Sequence, residues 1–408
     1  MPAPRRAVLV ALLWALVTTL AGGCASMSRS SEPNDDRRVM ITLPPAPKSV
    51  VIRDQREIAT SYRLRMLAAW DMESIGQRCI VYEVPPWLPF DTTLDELAAD
   101  PRIDLAQPVQ RFRTGAREAS PTRAGARDPY RHLQHAADSL GLERAHRHAT
   151  GRGVRLAVID TGVDVAHPDL APNLELARDF VAPPVSFTRD IHGTAVSGVI
   201  AAAANDVGIL GVAPHCRLLA LKACWPEATA SRAATCDSYT LALALDSAIV
   251  EAVQVVNLSL GGPPDPILGR LVAEAVARGI LVVAADGGPG ADFPATAPGV
   301  LAVRAQPASG TVTLVDESSA RISAPGDSVL STAPGGGFDF FSGASIAAAH
   351  VAGLAALLLE RRPDLSPSTV ARVLLRASQD DALDACAVLA AATGDDLHCE
   401  GSPPRTER

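Results

Sequence analysis

Three polar residues lie at the tips of apolar segments, and their types are those of nucleophilic catalysis. Asp160 ends the run VRLAVID, His192 begins HGTAVSGVIAAAA, and Ser345 precedes IAAAHVAGLAALLLE. A serine nucleophile needs a base that takes its proton, and a histidine base needs an acid that holds its tautomer. Glycine or other small residues beside all three keep the approach to them open. The set predicts an acyl-transfer site in which Ser345 is the nucleophile.

Structural roles are the alternative for each residue. Serine is a favoured N-cap of helices, and a buried aspartate at a strand tip can be held by hydrogen bonds within a turn. His350 is not a suitable base for Ser345, because five residues along a helix rotate a side chain by about 140°. We interpret His350 as a core histidine with one hydrogen bond. The base must therefore come from upstream, where His192 is the candidate.

Alternating strands and helices are predicted to bring these tips together. Helical stretches at 238–252 and 267–279 alternate with apolar strands at 154–160, 217–223, 253–260, 280–285 and 300–303. This alternation is typical of an α/β domain with a mostly parallel sheet and helices on both faces, predicted here over residues 129–394. Ligands bind such sheets at the carboxyl ends of the strands. Asp160 ends its strand at that edge.

A second, smaller unit precedes this domain. Residues 37–113 are predicted to form an α+β domain, with strands at VMITLP and CIVYEVP and helices at EIATSYRLRMLAAWDM and TTLDELAAD. Residues 114–128 are rich in Arg, Ala and Ser without apolar periodicity, which predicts a linker. Residues 24–36 and 395–408 are polar and are predicted to be a tether and a tail.

The first residues predict export rather than a folded element. Arg5 and Arg6 are followed by an apolar stretch and then by small residues up to Cys24, which indicates a signal peptide over residues 1–23. Small residues directly before a cysteine resemble a bacterial lipobox, so we expect Cys24 to be the lipidated first residue of a cell-envelope lipoprotein. An ordinary cleaved signal and an uncleaved membrane anchor are the alternatives. No other stretch is long enough to cross a bilayer.

The composition and charge of the chain bear on its core and on nucleic acid as a partner. The 408 residues are 48% apolar, which supports a sizeable core, and the net charge of −8 is not accompanied by any basic block. Nucleic acid is therefore not expected as a partner.

Six cysteines remain after Cys24, and none has the C-x-x-C spacing of a zinc site. They are Cys79, Cys216, Cys224, Cys236, Cys386 and Cys399. Outside the cytoplasm cysteines can oxidise, and positions 224 and 236, like 386 and 399, flank a short polar loop. We predict one disulfide within each of these two pairs, whereas Cys79 and Cys216 either pair or stay as buried thiols.

Five segments resemble the subtilisin-like serine proteases, the subtilases. They are AVIDTGVDVAHPDL, HGTAVSGVIAA, GILGVAP, VVNLSLGG and SGASIAAAHVAG, in the order of that family. The resemblance implies that Asp160 orients His192, that His192 is the general base and acid, and that Ser345 is the nucleophile. It also implies an edge along which a substrate peptide lies as an added strand, formed by Ser259, Leu260 and Gly261.

The resemblance further implies a serine endopeptidase that acts on polypeptides, needs no cofactor, and has its own propeptide-like domain at 37–113; we expect it to be a monomer. An α/β-hydrolase esterase is a poorer match, because its nucleophile lies in G-x-S-x-G and comes first in the chain. Asp169 and Asn205 match positions that bind structural calcium in many subtilases, and oxygen ligands suit that ion. A solvated aspartate and a loop asparagine are the alternative.

The family pattern is broken near the nucleophile. Ala344 and Ala349 stand where a threonine and a proline are usual, and the family's oxyanion-binding asparagine, in an A-A-G-N turn, has no counterpart. Asp286 and Gly287 occupy that turn, so we assign the oxyanion-hole region to Asp286, Gly287 and Ser345. We expect slow turnover, and activity that rises in acid if Asp286 faces the site. The alternative function is a catalytically impaired subtilisin-like protein that acts as a cell-envelope binding or scaffold module.

Overall fold

A seven-stranded sheet and the helices packed against it position the predicted catalytic residues. The computed structural model describes residues 37–114, 130–181, 190–227, 231–288, 290, 292–306, 321–378 and 383–394. The predicted signal peptide, Cys24, the tether, Cys399 and the tail lie outside these residues, as does the linker beyond Thr114. Residues 37–408 belong to one compact unit.

The described secondary structure begins with a strand and ends with a helix. The strands are β1 Arg38–Leu43, β2 Arg65–Met72, β3 Gln77–Glu83, β4 Leu105–Pro108, β5 Arg111–Thr114, β6 Arg155–Asp160, β7 Leu174–Asp179, β8 Arg217–Lys222, β9 Cys224–Pro226, β10 Ala234–Asp237, β11 Val255–Leu258, β12 Leu260–Gly261, β13 Leu281–Ala285, β14 Leu301–Gln306, β15 Arg321–Pro325, β16 Val329–Ala333 and β17 Gly337–Phe341. The α-helices are α1 Lys48–Ser61, α2 Phe90–Ala99, α3 His135–Ser139, α4 Leu142–Ala145, α5 Ile191–Ala201, α6 Ser238–Val250, α7 Pro266–Ala277, α8 Ala344–Arg361, α9 Pro367–Ala377 and α10 Ala385–Thr393.

The central sheet is buried on both faces. Its strands follow the order β15-β14-β13-β11-β6-β8-β7, and all of its described pairs are parallel. Alternate residues of β6 face different hydrophobic clusters: Leu156 and Val158 pack with α5 and α8, whereas Ala157 and Ile159 pack with α6 and α7. This confirms the predicted α/β fold.

Helix α8 runs through the core. Every residue from Ser345 to Leu359 is buried, as its apolar, helix-forming composition predicts. Among the described residues it is the one helix long and apolar enough to cross a membrane. Because 83% of this 18-residue helix is buried inside the protein, it is a core helix.

The N-terminal region has its own sheet and hydrophobic cluster. Its strands follow the antiparallel order β2-β3-β1-β4 and pack against α1 and α2. The prediction of one helix through EIATSYRLRMLAAWDM is wrong in its second half, because α1 ends at Ser61 and Arg65–Met72 is the edge strand β2. Arg63, at φ 54°, turns the chain between them. Pairing with β3 then overrides the helix propensity of these residues.

A second small sheet joins the N-terminal region to the larger domain. Its antiparallel order is β12-β5-β10-β9, so β5 lies between β12 and β10. The predicted Cys224–Cys236 disulfide is confirmed and links β9 to β10. Cys386 is also disulfide-bonded, and its predicted partner lies outside the described residues. Cys79 and Cys216 are buried free thiols.

Candidate active site

Three neighbouring strands end side by side at the carboxyl edge of the central sheet. The register pairs Ile159 with Leu258 and Asp160 with Lys222. Ser259 follows Leu258, so it lies beside Asp160 on one side, and Lys222 lies beside Asp160 on the other. This is the edge at which parallel sheets bind their ligands.

A buried carboxylate holds His192 by its Nδ1 atom. The two Asp160 oxygens lie 2.8 and 2.9 Å from His192 Nδ1, and both side chains are almost fully buried. The Thr161 amide donates to the same carboxylate at 2.6 Å. Because Nδ1 donates to the carboxylate, Nε2 of the neutral imidazole is an acceptor. Within the described part of the chain Nε2 is buried without a hydrogen-bond partner, so it is placed to accept a proton.

The start of α5 is attached to the turn that follows Asp160. The Gly193 amide donates to Thr161 Oγ1 at 3.0 Å. A Cβ at position 193 would lie 2.2 Å from the Gly162 carbonyl oxygen, so only glycine fits there. The small residue after His192 therefore serves a close approach of two backbones as well as an open site.

Replacing Gly193 with alanine is expected to push the helix away from this turn. The new Cβ would meet backbone atoms, which cannot rotate aside, and overpacking of this kind costs about 1–3 kcal/mol. Thermal unfolding should show a lower midpoint for Gly193→Ala than for the parent. Gly269→Ala is the control: it lies in α7 with open space around its Cβ and should be neutral or stabilising. Equal midpoints for the two variants would contradict the close approach.

Ser345 lies in the first turn of α8 without capping it. The N-cap is Gly343, whose φ of 141° favours glycine. Ser345 Oγ donates to the Ser259 carbonyl at 3.0 Å, and Ser259 Oγ donates to the Ser345 carbonyl at 2.9 Å. Asn257 Nδ2 donates to Ser259 Oγ at 2.9 Å. Ser345 is thus attached to the strand beside the one that ends in Asp160.

Asp160, His192 and Ser345 therefore lie at the same edge of the sheet, where Asp160 contacts His192 and Ser345 contacts Ser259. Helices α5 and α8 pack against each other, and their first turns carry His192 and Ser345. The positive end of the α8 dipole lies at Ser345, where it favours a negative charge that develops on a bound group. His192 Nε2 can accept a proton, and the start of α8 can stabilise an anion.

His350 takes no part in this arrangement. Its Nδ1 donates to the Pro325 carbonyl at 2.9 Å, and its side chain is buried. Burial lowers the pKa of His350 to about 4, so the ring is neutral near pH 7. The interpretation as a core histidine is confirmed.

The Asp286 carboxylate binds arginines on the far side of its strand. Its Oδ2 lies 2.6 Å from Arg304 Nε and 3.4 Å from Arg321 Nε, and its Oδ1 accepts the Gly288 amide at 3.1 Å. Those arginines belong to β14 and β15, which lie on the opposite side of β13 from β11 and Ser259.

These contacts do not meet the condition for activation in acid, which was that Asp286 faces the site. Burial favours the neutral acid, but the hydrogen bonds from Arg304 and Gly288 and the charges of the two arginines outweigh it, so the pKa of Asp286 lies below its usual value. The carboxylate is therefore ionised and neutralised at ordinary pH. It provides neither a proton donor for an oxyanion nor a reason for activity to rise in acid.

A peptide strand lies along the predicted substrate edge. Thr114 pairs with Leu260 and Arg113 with Gly261, while the other side of β5 pairs with β10. The edge implied by the sequence thus accepts an added antiparallel strand, and here that strand is the end of the N-terminal region.

Phe112 anchors this strand. Its side chain is fully buried, and its ring centre lies 6.3 Å from that of Phe293. A Cβ at Gly262 would lie 2.3 Å from the Phe112 ring, so the absence of a side chain at Gly262 makes room for it. We call the space beside β12 that β5 occupies the groove. It includes a pocket that holds the Phe112 ring.

The two predicted calcium ligands lie in one loop region, where both side chains contact protein groups. Asp169 Oδ2 accepts the Ile209 amide at 2.9 Å, Asn205 Oδ1 accepts the Val207 amide at 3.0 Å, and Asn205 Nδ2 donates to the Pro168 carbonyl. Calcium requires about six to eight oxygen ligands. No group of three or more His, Cys, Asp or Glu side chains that could hold a metal occurs among the described residues. Calcium binding by Asp169 and Asn205 therefore stays a prediction.

Two residues of the site were missed from the sequence. Lys222 is a fully buried lysine beside Asp160, and its signal is a charge that directly follows the apolar run LLAL. Phe112 is a lone aromatic among arginines in QRFRT, immediately before the predicted linker. In both cases the residue type is unusual for its surroundings, but the partners that explain it are distant in sequence.

Comparisons with known proteins agree with this geometry. Residues 151–392 match the model of the subtilase family, Peptidase_S8. Subtilisin E of Bacillus subtilis (strain 168) is 38% identical over 227 residues, which cover 52% of this chain and 57% of the relative. Subtilisin Savinase of Lederbergia lenta is 38% identical over 228 residues, covering 54% of this chain and 81% of the relative.

A solved structure gives the same architecture. Fervidolysin from Fervidobacterium pennivorans, described as a keratinolytic enzyme related to subtilisin, superposes with a TM-score of 0.68 at 21% identity, covering 86% of this chain and 60% of that one. The chain spans a little over half the length of Subtilisin E and of several other subtilisins that it matches. The matched family model covers more than half of this chain, from before the aspartate motif to beyond the serine helix. The chain belongs to the subtilase family.

Proposed function

We propose that the chain is a serine endopeptidase with Asp160, His192 and Ser345 as its catalytic triad. The observation that supports this most is the buried Asp160–His192 hydrogen bond at the same sheet edge as Ser345. The test is hydrolysis of casein and of a short peptide by the purified protein, with inhibition by a fluorophosphonate. Absence of hydrolysis under conditions where the small domain has been removed or displaced would contradict the proposal.

The reaction is acyl transfer from an amine to water. Ser345 Oγ attacks the carbonyl carbon while His192 Nε2 takes the hydroxyl proton, and the carbonyl oxygen becomes an oxyanion. The C–N bond then breaks, and the amine leaves with the proton from His192. Water then attacks the acyl carbon while His192 takes its proton, the bond to Ser345 Oγ breaks, and Ser345 regains a proton from His192 as the carboxylic acid leaves. Asp160 holds the imidazole and stabilises its charged form, so no cofactor is required.

The N-terminal region acts as an inhibitor of its own chain. It contacts both helices that cover this face of the larger domain: Asp246 of α6 accepts the Ser74 amide at 2.9 Å, and the Ile267 amide of α7 donates to Gln107 Oε1 at 3.0 Å. Its last strand, β5, takes the place along β12 that a substrate strand needs. A polypeptide therefore enters only when β5 leaves.

Replacing Phe112 with alanine is expected to open the groove. Burial of a phenylalanine contributes about 3–5 kcal/mol, so even partial loss of it should raise the rate of Ser345 labelling by a fluorophosphonate in the full-length chain at least about tenfold. Phe90→Ala is the control, because Phe90 packs in the separate cluster of the N-terminal region rather than in the groove. An unchanged labelling rate for Phe112→Ala, or an equal gain for Phe90→Ala, would contradict inhibition by β5.

A catalytically impaired binding or scaffold protein is the second candidate. The observation that favours it is the absence of the family's oxyanion asparagine from the turn after β13, where Asp286 binds arginines instead. A scaffold would bind polypeptide without hydrolysing it once β5 has been displaced. The hydrolysis assay separates the two functions.

We further propose that the protein acts outside the cytoplasm, as a monomer held at the membrane by a lipid on Cys24. The support is the signal-like and lipobox-like sequence before Cys24 and the Cys224–Cys236 disulfide, since disulfides persist in oxidising compartments.

A further inference from the structure

Lys222 is one of the largest fully buried side chains in the described part of the protein. Lysine is almost never fully buried unless it is paired. Its ammonium lies 2.5 Å from Asp190 Oδ2, and it also donates to the Thr161 carbonyl. The reaction steps above make no use of this charge.

The two partners of Lys222 are close in sequence to Asp160 and His192. Thr161 directly follows Asp160, and Asp190 is the N-cap residue of α5, two positions before His192. Lys222 itself is in register with Asp160 on the adjacent strand. One ammonium group therefore connects the end of β8, the turn after β6 and the start of α5.

The Asp190 carboxylate does not have the usual role of an N-cap side chain. Its side chain makes no capping hydrogen bond to the amides of α5. Burial raises the pKa of Asp190 to about 6, against the opposing hydrogen bond and charge of Lys222. A buried ion pair of this kind often contributes little to stability compared with well-packed apolar residues. A contribution to stability alone therefore does not explain why the Lys222–Asp190 ion pair lies beside Asp160 and His192.

We infer that Lys222 is a positioning residue that sets the geometry of the Asp160–His192 hydrogen bond. By binding the Thr161 carbonyl and the Asp190 carboxylate at once, it fixes the distance between the turn that carries Asp160 and the helix start that carries His192. The effect on hydrolysis rests on the proposed function. The effect on the Asp160–His192 hydrogen bond does not.

The kinetic test is Lys222→Met in the full chain, activated in the same way as the parent. Misplacement of catalytic groups by about 1 Å can cost about a hundredfold, so kcat should fall by about that factor. KM should change by less than about threefold, because the substrate edge on β12 is untouched. Leu219→Ala is the matched control: it is buried on the same strand but packs into the cluster on the opposite face of the sheet, and it should lower stability while leaving kcat unchanged.

A spectroscopic test works even if the protein hydrolyses nothing. In the Ser345→Ala background, the far-downfield proton resonance of His192 Nδ1–H bonded to a carboxylate should be present in the parent and in Leu219→Ala. It should be displaced or lost in Lys222→Met. A parent with this resonance but no hydrolysis would contradict the proposed function and leave the inference to be decided by the variants.

The double variant Lys222→Met/Asp190→Asn separates positioning from stability. It leaves no unpaired buried charge, so its thermal unfolding midpoint should return toward that of the parent. Because the hydrogen bond to the Thr161 carbonyl is still missing, kcat should remain low and the resonance displaced. If Lys222→Met does not fold, this variant decides the question. Recovery of both kcat and the resonance in the double variant, or no change of either in Lys222→Met, would overturn the inference.

Discussion

Ser345→Ala is expected to abolish hydrolysis while leaving the fold intact. Its hydroxyl donates to the Ser259 carbonyl, and the N-cap of α8 is Gly343, so alanine removes the nucleophile without removing a cap. In a subtilisin, a member of the same family, loss of the catalytic serine costs about 10⁶ in kcat. We expect a fall of the same order, measured with one peptide substrate under saturating conditions.

Ser342→Ala is the matched control. Ser342 lies in the same segment, but its hydroxyl accepts the Ser328 amide and donates to Asp327, so its loss affects local structure only. The control should keep hydrolysis within about a factor of ten of the parent. Equal hydrolysis by Ser345→Ala and the parent would remove the basis for assigning Ser345 as nucleophile.

An asparagine placed in the turn after β13 is expected to raise turnover. The tetrahedral intermediate carries a negative charge, and loss of one preorganised donor costs about 10²–10³ in kcat, or roughly 3–4 kcal/mol, a figure measured in a subtilisin. Gly287→Asn and Gly288→Asn are the variants to make. Asn tolerates the positive φ of 82° at Gly288, where a Cβ meets open space. At least one of them should increase kcat by about tenfold or more.

Asp286 should be left in place in this experiment. Its replacement would leave Arg304 and Arg321 beside a partly buried site without their counter-charge. Gly287→Ala and Gly288→Ala are the controls, since each adds a Cβ without adding a donor. A gain in the alanine variants equal to that in the asparagine variants, or no gain in any of the four, would show that another group already stabilises the oxyanion.

The three residues proposed as the catalytic triad have local signals in the sequence. Asp160, His192 and Ser345 each lie within a short motif of small residues at the tip of an element. Gly193 allows a close approach of two backbones, and Gly162 and Gly343 have positive φ angles. The five strands predicted for the larger domain were found as β6, β8, β11, β13 and β14. Their apolar runs are long enough to be recognised, because a parallel sheet buries both faces of each strand.

The features that were missed depend on partners far along the chain. Arg65–Met72 has the composition of a helix, and only its pairing with β3 makes it a strand. The orientation of Asp286 is determined by arginines on two later strands, at positions 304 and 321. The environment of Lys222 is determined by Asp190 and Thr161, which belong to other elements. No periodicity within a segment carries that information.

The most direct test of Ser345 as the activated nucleophile is to map the site of covalent labelling by a fluorophosphonate. Purified protein, with β5 displaced by the Phe112→Ala substitution, would be treated with the probe, digested and mapped by mass spectrometry. We predict one adduct, on Ser345, which disappears when His192 is replaced by alanine because the hydroxyl then has no base. An adduct on another residue, or no adduct on correctly folded protein, would contradict the assignment of Ser345 as an activated nucleophile.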